Sequence, residues 1–428
     1  MKDFLPEEFQ TKYFDFKPRD YNDERFLNDL HEQIKLSIKN CKYYRENICE
    51  QFDFTLPEKL SMDMLVDIPY VPTNLFKESR YQFMDLLKVP VEDIVLFSSS
   101  SSTTGDPSIL PRTKEDFDQI QYNSIKVFSE FFKWDEMKDC IMFNFAPSRG
   151  MMAFMSRVKL SNKEFKKKYG KRTRYFTACM NKPWEFYGHE EYLIKFKLLK
   201  TIWSIITSFD IKGGFVLDVS LMLKMIRKVL ETGEWKGKKI GRIAFGGSPL
   251  LMNNMFKKRL LKDDIKIDLS DRGFVGSGGG GWDGVKGQAK MDAVNKVEFV
   301  ENYEKVFSIE SKDMRDIYAF TEAPNLYGGH WSEKYQDYLL HCPDTARIIV
   351  RDIDSLEPIK SGTGLLETIT PYGVNGCVNQ AVLVDDIVEI ISLDKCPECG
   401  YEGATFRIIG RLKDSQGRGC SSIIDWIH

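Results

Sequence analysis

The stretch LFSSSSSTTGDPSILPRTKED, residues 96–116, places five serines and two threonines in front of a glycine. It follows the β-rich run DIVLF, residues 93–97, so the pattern predicts a strand, then a loop, then a helix. Hydroxyls and free backbone N–H groups can surround phosphates without adding charge, and a serine-rich linker is the alternative interpretation. No Gly-Lys-Ser/Thr closes the stretch, which excludes a P-loop nucleoside triphosphatase. The candidate phosphate-binding residues are Ser99, Ser100, Ser101, Ser102, Thr103, Thr104, Gly105 and Ser108.

Strand-like and helical segments alternate through the middle of the chain. Residues 140–147 (CIMFNFAP), 213–220 (GGFVLDVS) and 241–249 (GRIAFGGSP) are typical of buried strands, and helical stretches separate them. This alternation predicts an α/β fold whose sheet is covered by helices on both faces. From about residue 346 the pattern changes to short strands and turns, which predicts a small β-rich subdomain.

Composition excludes several classes of protein. The 61 basic and 63 acidic residues nearly cancel, giving a formal charge of -2, so no strong field favours nucleic acid. No apolar run is long enough to span a membrane, and the charged first residues do not resemble a signal peptide, so we expect a cytoplasmic protein. Nine cysteines, an odd number, indicate reduced thiols and a possible metal site rather than a disulfide framework.

Two further segments contain residues suited to ligand binding. GFVGSGGGGWDGVKGQ, residues 273–288, contains four consecutive glycines that allow a backbone to approach a ligand closely, although a flexible tether is an equal alternative. Lys286 in this segment is either a counter-charge for a phosphate or a solvated lysine. In DIYAFTEAPNLYGGH, residues 316–330, Glu322 beside a hydroxyl predicts a site for a divalent cation, or else Glu322 caps a helix.

A Cys-x-x-Cys pair lies in CPECG, residues 396–400. Its proline and glycine allow Cys396 and Cys399 to face one ion, and zinc usually takes four ligands. His341 and Cys342 are the candidates that complete the set, although ligands adjacent in sequence are geometrically awkward. A structural zinc site and uncoordinated thiols both stay open, and a redox role is disfavoured because no thioredoxin-like unit surrounds the pair.

Four segments together resemble the adenylate-forming superfamily, which includes acyl-CoA synthetases and firefly luciferase. In order they are SSSTTGDPS, YAFTE, LVDDI (residues 383–387) and GRLKD (residues 410–414). With IPYVPTNLFKE, GSGGGGW and GRLKDSQGRGC, the chain is more closely similar to the acyl-protein synthetase component of the bacterial fatty acid reductase that supplies aldehyde for luminescence. The resemblance covers about residues 65–422.

The resemblance implies roles for individual residues. The hydroxyl-rich loop with Thr103, Thr104 and Gly105 would line the phosphates of ATP, and Thr321 and Glu322 would serve ATP and Mg²⁺. Asp386 would meet the ribose, and Arg411 would contact the nucleotide from the hinge side. Gly247 and Tyr318 are further candidates for nucleotide binding, and Cys420 in GRGCSS corresponds to the acylated cysteine.

The sequence departs from the larger ligases in two respects. Only eighteen residues of this sequence follow Gly410, so we expect no counterpart of the catalytic lysine in their C-terminal domain, and Ser108 stands where many ligases have lysine. Lys286 is therefore the candidate cation for the transition state. The predicted regions are an N-terminal helical region, an α/β adenylation core, a β-rich subdomain, and a hinge with a strongly reduced C-terminal domain, at residues 1–90, 91–345, 346–409 and 410–428.

The implied function is that of an ATP-dependent acyl-protein synthetase. A carboxylic acid, in that family a fatty acid, would be activated as an acyl-adenylate and moved to Cys420 as a thioester for an acyl reductase partner. Arg418, two residues before Cys420, would lower the pKa of the thiol. The alternatives are a ligase of the phenylacetate-CoA type, which passes the acyl group to CoA or a carrier, and a catalytically inactive binding or scaffold protein.

Overall fold

A computed structural model describes residues 23–100, 107–132, 139–145, 174–177, 179–180, 216–217, 219–286, 289–290 and 292–412. The α-helices in these residues are α1 Asp23–Asn40, α2 Lys114–Phe131, α3 Val219–Thr232, α4 Pro249–Met255 and α5 Lys296–Phe307. Their strands are β1 Val71–Pro72, β2 Leu96–Ser99, β3 Ile109–Arg112, β4 Cys140–Phe145, β5 Arg174–Thr177, β6 Cys179–Met180, β7 Val216–Leu217, β8 Glu234–Trp235, β9 Lys238–Lys239, β10 Arg242–Gly247, β11 Gly273–Gly278, β12 Val285–Lys286, β13 Ala289–Lys290, β14 Met314–Tyr318, β15 Tyr327–Ser332, β16 Asp337–His341, β17 Arg347–Arg351, β18 Pro358–Ile359, β19 Gly362–Ile369, β20 Ala381–Ser392 and β21 Thr405–Arg411.

Within the described residues, thirteen strands form one sheet. Its order is β18–β17–β19–β20–β21–β16–β15–β14–β11–β10–β4–β5, with β1 paired to β20. The strands from β5 to β14 are parallel, whereas the path from β14 to β18 is antiparallel throughout. The strands after residue 346 therefore continue the sheet of the α/β region by hydrogen bonding.

Helices cover both faces of the parallel half, as the sequence pattern predicts. Successive side chains of a strand point to opposite faces, and β10 shows this directly. Ile243 and Phe245 pack with residues of α3, α4 and α5, whereas Ala244 between them packs with Val127 and Phe131 of α2. Burying a side chain of this size contributes about 1.5–3 kcal/mol, so the two apolar faces hold the helices in place.

Helix α1 covers the antiparallel half. Its buried residues Phe26, Leu27, Leu30 and Ile34 recur at helical spacing and pack in one cluster with residues of β17, β19 and β20. Among the described residues, no helix combines the length and the apolar character that crossing a membrane requires.

The predicted strands at residues 140–147 and 241–249 are confirmed as β4 and β10. In residues 213–220 the structure describes the two-residue strand β7 and the beginning of α3 at Val219. The hydroxyl-rich stretch is also followed by a strand, β3, and not directly by a helix: β3 pairs antiparallel with β2, and α2 begins only at Lys114. Pro111 in β3 has no backbone N–H, and a two-stranded hairpin tolerates it because its outer edges need no donor.

Candidate active site

Three parallel strands end at one edge of the sheet and bring the predicted motifs together. β10 ends at Gly247, β11 at Gly278 and β14 at Tyr318, and each is hydrogen-bonded to the next. The segments that follow them are the start of α4, the glycine-rich loop, and the Thr321 and Glu322 segment. Ligands of open α/β sheets bind at the carboxyl ends of the strands, so this edge is the candidate active site.

Tyr318, Asp386 and Arg411 form one polar cluster at this edge. The Tyr318 hydroxyl donates to Oδ2 of Asp386 at 2.5 Å, and Nε of Arg411 lies 3.5 Å from Oδ1 of Asp386. Asp386 and Arg411 face each other across β20 and β21, which fixes their separation. Burial raises the pKa of Asp386, while Arg411 and Tyr318 act in the opposite direction. The cluster therefore presents an acidic acceptor with a cation beside it.

The glycine-rich loop runs close to this cluster. Gly279, Gly280 and Gly281 all have positive φ angles, of 79°, 71° and 101°. A Cβ atom built on Gly280 would meet nothing within 4 Å, so its backbone borders open space. Asp283, next in the loop, lies near enough to Asp386 to contribute to raising its pKa. The backbone of the loop can thus be reached by a molecule bound beside Asp386.

Asp316 in β14 forms hydrogen bonds with residues on both sides of the run of glycines. Its Oδ1 accepts a hydrogen bond from Ser277 Oγ at 2.7 Å, and its Oδ2 accepts one from Trp282 Nε1 at 3.2 Å. Asp316 is buried, and burial raises the pKa of its carboxyl group. These bonds fix both ends of the run of glycines against β14.

Gly247 has a packing reason to be glycine. Its φ of 123° is one that other residues rarely adopt, and a Cβ atom would lie 2.4 Å from the Phe145 carbonyl oxygen. The next residue, Ser248, has its hydroxyl 3.5 Å from the carbonyl oxygen of Gly280. The end of β10 therefore adjoins both the end of β4 and the glycine-rich loop.

The hydroxyl-rich stretch connects β2 to β3, which pair with each other in antiparallel orientation. Ser108 N donates to Ser100 Oγ at 2.8 Å, and Ser100 N donates to the carbonyl oxygen of Ser108 at 2.9 Å, so these two residues close its base. The Ser108 side chain is fully buried, and its hydroxyl has no hydrogen-bond partner among the described residues. At the other end of β3, Arg112 donates to the carbonyl oxygens of Thr321, at 3.0 Å, and Gly373, at 2.9 Å. The hairpin is thereby attached to the Thr321 segment.

Glu322 is the acidic residue nearest to this attachment along the chain. Its side chain is buried, and its carbonyl oxygen accepts a hydrogen bond from Asn379 Nδ2 at 2.9 Å. The pKa of Arg411 is raised, mainly by the charge of Asp386, and the charge of Glu322 contributes. The Glu322 carboxylate therefore lies close enough to the Asp386 and Arg411 pair to interact with it electrostatically. Carboxylate oxygens are ligands that Mg²⁺ accepts, so Glu322 fits the predicted cation site.

The structure thus gathers Gly247, Tyr318, Thr321, Glu322, Asp386 and Arg411 around one edge of the sheet. The predicted residues Ser101, Ser102, Thr103, Thr104, Gly105 and Cys420 lie outside the described residues, as do the side chains of Ser99 and Lys286. Sequence reasoning missed Arg112, Asn379 and Asp316. Arg112 stands at the end of an apolar run just before a helix cap, but its partner Thr321 is 209 positions away, so no local pattern could assign it.

The Cys-x-x-Cys pair belongs to a separate cluster away from this edge. The ligand atoms of His330, His341, Cys396 and Cys399 all lie within 4.8 Å of one another. The predicted fourth member, Cys342, is not among them and is replaced by His330. His341 and Cys342 are consecutive along an extended chain, so their side chains point to opposite sides, and the Cys342 thiol packs in the apolar cluster formed by β19, β20 and their neighbours.

Most of the described cysteines are inaccessible. Cys41, Cys49, Cys140, Cys342, Cys377 and Cys396 are buried, and Cys399 is exposed. Burial raises the pKa of Cys140, Cys342 and Cys377 to about 12, so these thiols remain protonated near neutral pH.

The family model described as acyl-protein synthetase, LuxE, matches residues 218–426. This match confirms the resemblance to the acyl-protein synthetase family over that part of the chain. No curated protein matches the chain significantly.

Two solved structures of 2-hydroxyisobutyryl-CoA ligase share the fold. The first, in the postadenylation state with 2-HIB-AMP, is 12% identical, with a TM-score of 0.57 over 92% of this chain and 69% of that one. The second, with 2-HIB-AMP and CoA in the thioesterification state, is 14% identical, with a TM-score of 0.58 over 93% of this chain and 70% of that one. The predicted adenylate-forming fold is therefore confirmed.

Proposed function

We propose that this chain, whose residues 218–426 match the acyl-protein synthetase family, is an ATP-dependent acyl-protein synthetase. It activates a carboxylic acid, a fatty acid in our proposal, as an acyl-adenylate. It then transfers the acyl group to its own Cys420 as a thioester, from which an acyl reductase takes it. ATP and Mg²⁺ are the proposed cofactors.

The observation that carries this proposal is the Tyr318, Asp386 and Arg411 cluster beside the glycine-rich loop. Asp386 lies 68 positions from its partner Tyr318 in sequence, yet the two share a 2.5 Å hydrogen bond at the carboxyl edge of the parallel strands. Vicinal hydroxyls of a ribose are donors that suit such a carboxylate. A nucleotide bound there would have its phosphates near the segments of Thr321 and Glu322, to which Arg112 attaches the hydroxyl-rich hairpin.

The adenylation step joins a carboxylate oxygen of the acid to the α-phosphorus of ATP while the bond to pyrophosphate breaks. The protein contributes mainly position and charge, because a carboxylate needs no further activation to attack phosphorus. Asp386 would orient the ribose, and the hydroxyl-rich loop would hold the leaving pyrophosphate. Glu322 would hold Mg²⁺, which when bound neutralises charge on phosphate oxygens. Arg411, paired with Asp386, and Lys286 are the candidate cations for charge on the α-phosphate.

The transfer step needs a thiolate that attacks the acyl carbonyl carbon and releases AMP. A thiolate is strongly nucleophilic near neutral pH and retains the acyl group as a reactive thioester. Six of the seven cysteines whose side chains the structure describes are buried, which makes those six poor nucleophiles and supports a role for one of the other cysteines. Cys420, in the polar phrase GRGCSS with Arg418 nearby, is our proposed acceptor.

The decisive test separates the two half-reactions. Wild-type protein and the Cys420→Ser and Cys342→Ala variants are assayed for acid-dependent exchange of pyrophosphate into ATP and for labelling by radioactive fatty acid. We expect Cys420→Ser to retain exchange and lose labelling, and Cys342→Ala, as the control, to retain both. Undiminished thioester labelling of Cys420→Ser would contradict the assigned acceptor.

The same assays test the alternatives. The fold is shared with a CoA ligase whose solved structure contains CoA, so release of acyl-CoA on addition of CoA would favour a ligase of the phenylacetate-CoA type. Failure of the wild type to exchange pyrophosphate or bind nucleotide with any fatty, aryl or amino acid would favour the inactive scaffold.

A further inference from the structure

We propose that His330, His341, Cys396 and Cys399 bind one Zn²⁺ ion in a closed structural site. The four side chains come from three places: His330 from β15, His341 from β16, and both cysteines from the loop that joins β20 to β21. Two imidazoles and two thiolates form a ligand set that zinc favours, and a four-residue set leaves no open position for substrate. This site does not depend on the proposed enzymatic activity.

The distances agree with tetrahedral coordination. With Zn–N bonds of about 2.05 Å and Zn–S bonds of about 2.3 Å, two nitrogens lie about 3.3 Å apart and a nitrogen and a sulfur about 3.6 Å apart. In this structure Nδ1 of His330 lies 3.0 Å from Nε2 of His341, and Sγ of Cys399 lies 3.6 Å from the same Nε2. Two neutral imidazoles at this separation share a single hydrogen bond at most, whereas one cation would satisfy both nitrogens and both sulfurs.

Groups behind the histidines orient them towards a common centre. The second ring nitrogen of His341, Nδ1, lies 3.1 Å from Thr405 Oγ1, which leaves Nε2 to face the other ligands. The second ring nitrogen of His330, Nε2, lies 3.5 Å from a carboxylate oxygen of Glu398, and Glu398 in turn accepts from Ser332 Oγ at 2.6 Å. A carboxylate or hydroxyl behind a histidine ligand fixes the orientation of the ring and raises its basicity.

The loop that carries the cysteines is shaped around the Cys396 sulfur. The backbone N–H of Cys399 donates to Cys396 Sγ at 3.5 Å, and Gly400 N donates to the Cys396 carbonyl oxygen at 3.1 Å. Gly400 has a φ of 72°, which allows the chain to turn back at this point. Two thiolates neutralise the charge of Zn²⁺, so the loaded site is neutral where Cys396 and His341 are buried.

The position of the site suggests what the ion holds together. It joins the β20–β21 hairpin loop to β15 and β16 in the middle of the sheet. The His341 ring stacks on Phe131, the last residue of α2, with ring centroids 5.3 Å apart. Helix α2 begins next to Arg112, so zinc would fix the end of this helix that lies away from the candidate active site.

Binding is tested first on the wild-type protein. Zinc enters as two thiols lose their protons, so metal-free protein titrated with Zn²⁺ should release protons and bind about one equivalent. Replacing Zn²⁺ with Co²⁺ should give the intense visible absorption of tetrahedral cobalt together with a thiolate-to-cobalt band. Chelation of the zinc-loaded protein should lower its Tm by several degrees. Octahedral-type cobalt spectra, less than a tenth of an equivalent of zinc, or a native Cys396–Cys399 disulfide would overturn the proposal.

Variants identify the ligands. Cys399 is exposed, so Cys399→Ser should fold and yet lose most of its zinc, and His330→Gln should do the same. The matched control is Cys342→Ala, which removes the neighbouring buried thiol and should retain a full equivalent. Chelator should no longer change the Tm of Cys399→Ser. Full zinc content in both ligand variants, or loss of zinc in Cys342→Ala with an unchanged Tm, would refute this ligand set.

Discussion

The proposed role of Asp386 in nucleotide binding can be tested by a single substitution. Hydrogen bonds to a charged group contribute about 1.5–3 kcal/mol, so Asp386→Asn should raise the KM for ATP about tenfold to hundredfold in the pyrophosphate exchange assay. The expected loss concerns nucleotide binding and not the acid, whose KM should change little. Circular dichroism and the Tm establish that the variant is folded.

The adjacent Asp385 provides the control for this variant. Its Oδ2 accepts a hydrogen bond from Thr73 Oγ1 at 3.2 Å, and neighbours in a strand face opposite sides of the sheet. Asp385→Asn should therefore leave the KM for ATP within about twofold of wild type, which is within the scatter of ordinary surface substitutions. Equal effects of the two variants would argue against a specific role for Asp386.

Resemblance to a family located Tyr318 and Asp386 in the sequence, but it could not locate their supporting residues. Arg112 and Asn379 act through contacts with backbone carbonyls, and such contacts leave no pattern in the sequence of either partner. The sequence analysis named Cys342 as a candidate ligand where the structure has His330, and this difference has another cause. Adjacent residues of an extended chain cannot both reach one ion, so the presence of His341 in the ligand set is by itself enough to exclude Cys342 from it.

At the scale of secondary-structure elements, the close packing of Gly247 at the end of β10 against β4 can be tested. Gly247→Ala would place a Cβ atom 2.4 Å from the Phe145 carbonyl oxygen at a φ of 123°, so strain and a backbone clash add together. We expect a loss of at least about 3 kcal/mol in the free energy of unfolding, measured with urea.

Gly233→Ala is the matched control for this substitution. Gly233 also has a positive φ, of 67°, but a Cβ atom there would meet nothing within 4 Å. Only the left-handed conformation is penalised, at about 1–2 kcal/mol. If Gly247→Ala were no less stable than Gly233→Ala, crowding between β10 and β4 would not be the reason for this glycine.

The buried parallel strands were predictable because they contain continuous apolar runs, as in residues 140–143 and 243–245. The strand β3 was not, because ILPR is short and contains a proline, and its pairing with β2 across the loop decides its conformation. Likewise, pattern alone could not predict that the strands after residue 346 join the main sheet. Among the described residues, that connection is made by backbone hydrogen bonds between β16 and β21, which are far apart in sequence.

At the scale of the whole molecule, the family match begins at residue 218, whereas elements before residue 218 are part of the same sheet and the same apolar clusters. β4 pairs with β10, β1 pairs with β20, and α1 and α2 cover apolar faces of strands in the C-terminal half. A fragment of residues 218–428 would expose those faces and the open edge of β10. We expect it to aggregate and to lack a cooperative urea transition, as judged by sedimentation and circular dichroism.

The 428-residue chain measured under the same conditions is the reference for this fragment. A monomeric fragment with a sharp unfolding transition would show that the C-terminal half folds independently, against the pairing of strands described above. Exchange activity in such a fragment would further contradict the contribution of the β2–β3 hairpin.

The edge of the sheet at β18, opposite β5, affects whether two molecules can pair through their sheets. β18 is the outermost strand on that side among the described residues, it is two residues long, and Pro358 in it has no backbone N–H. On the part of β17 that β18 does not cover, Arg347 forms an ion pair with Asp23 of α1. A second polypeptide at this edge would find few backbone donors for pairing and would meet a charged side chain. Extension of the sheet from one molecule into the next is therefore disfavoured, and such extension is a common route to fibrous aggregates.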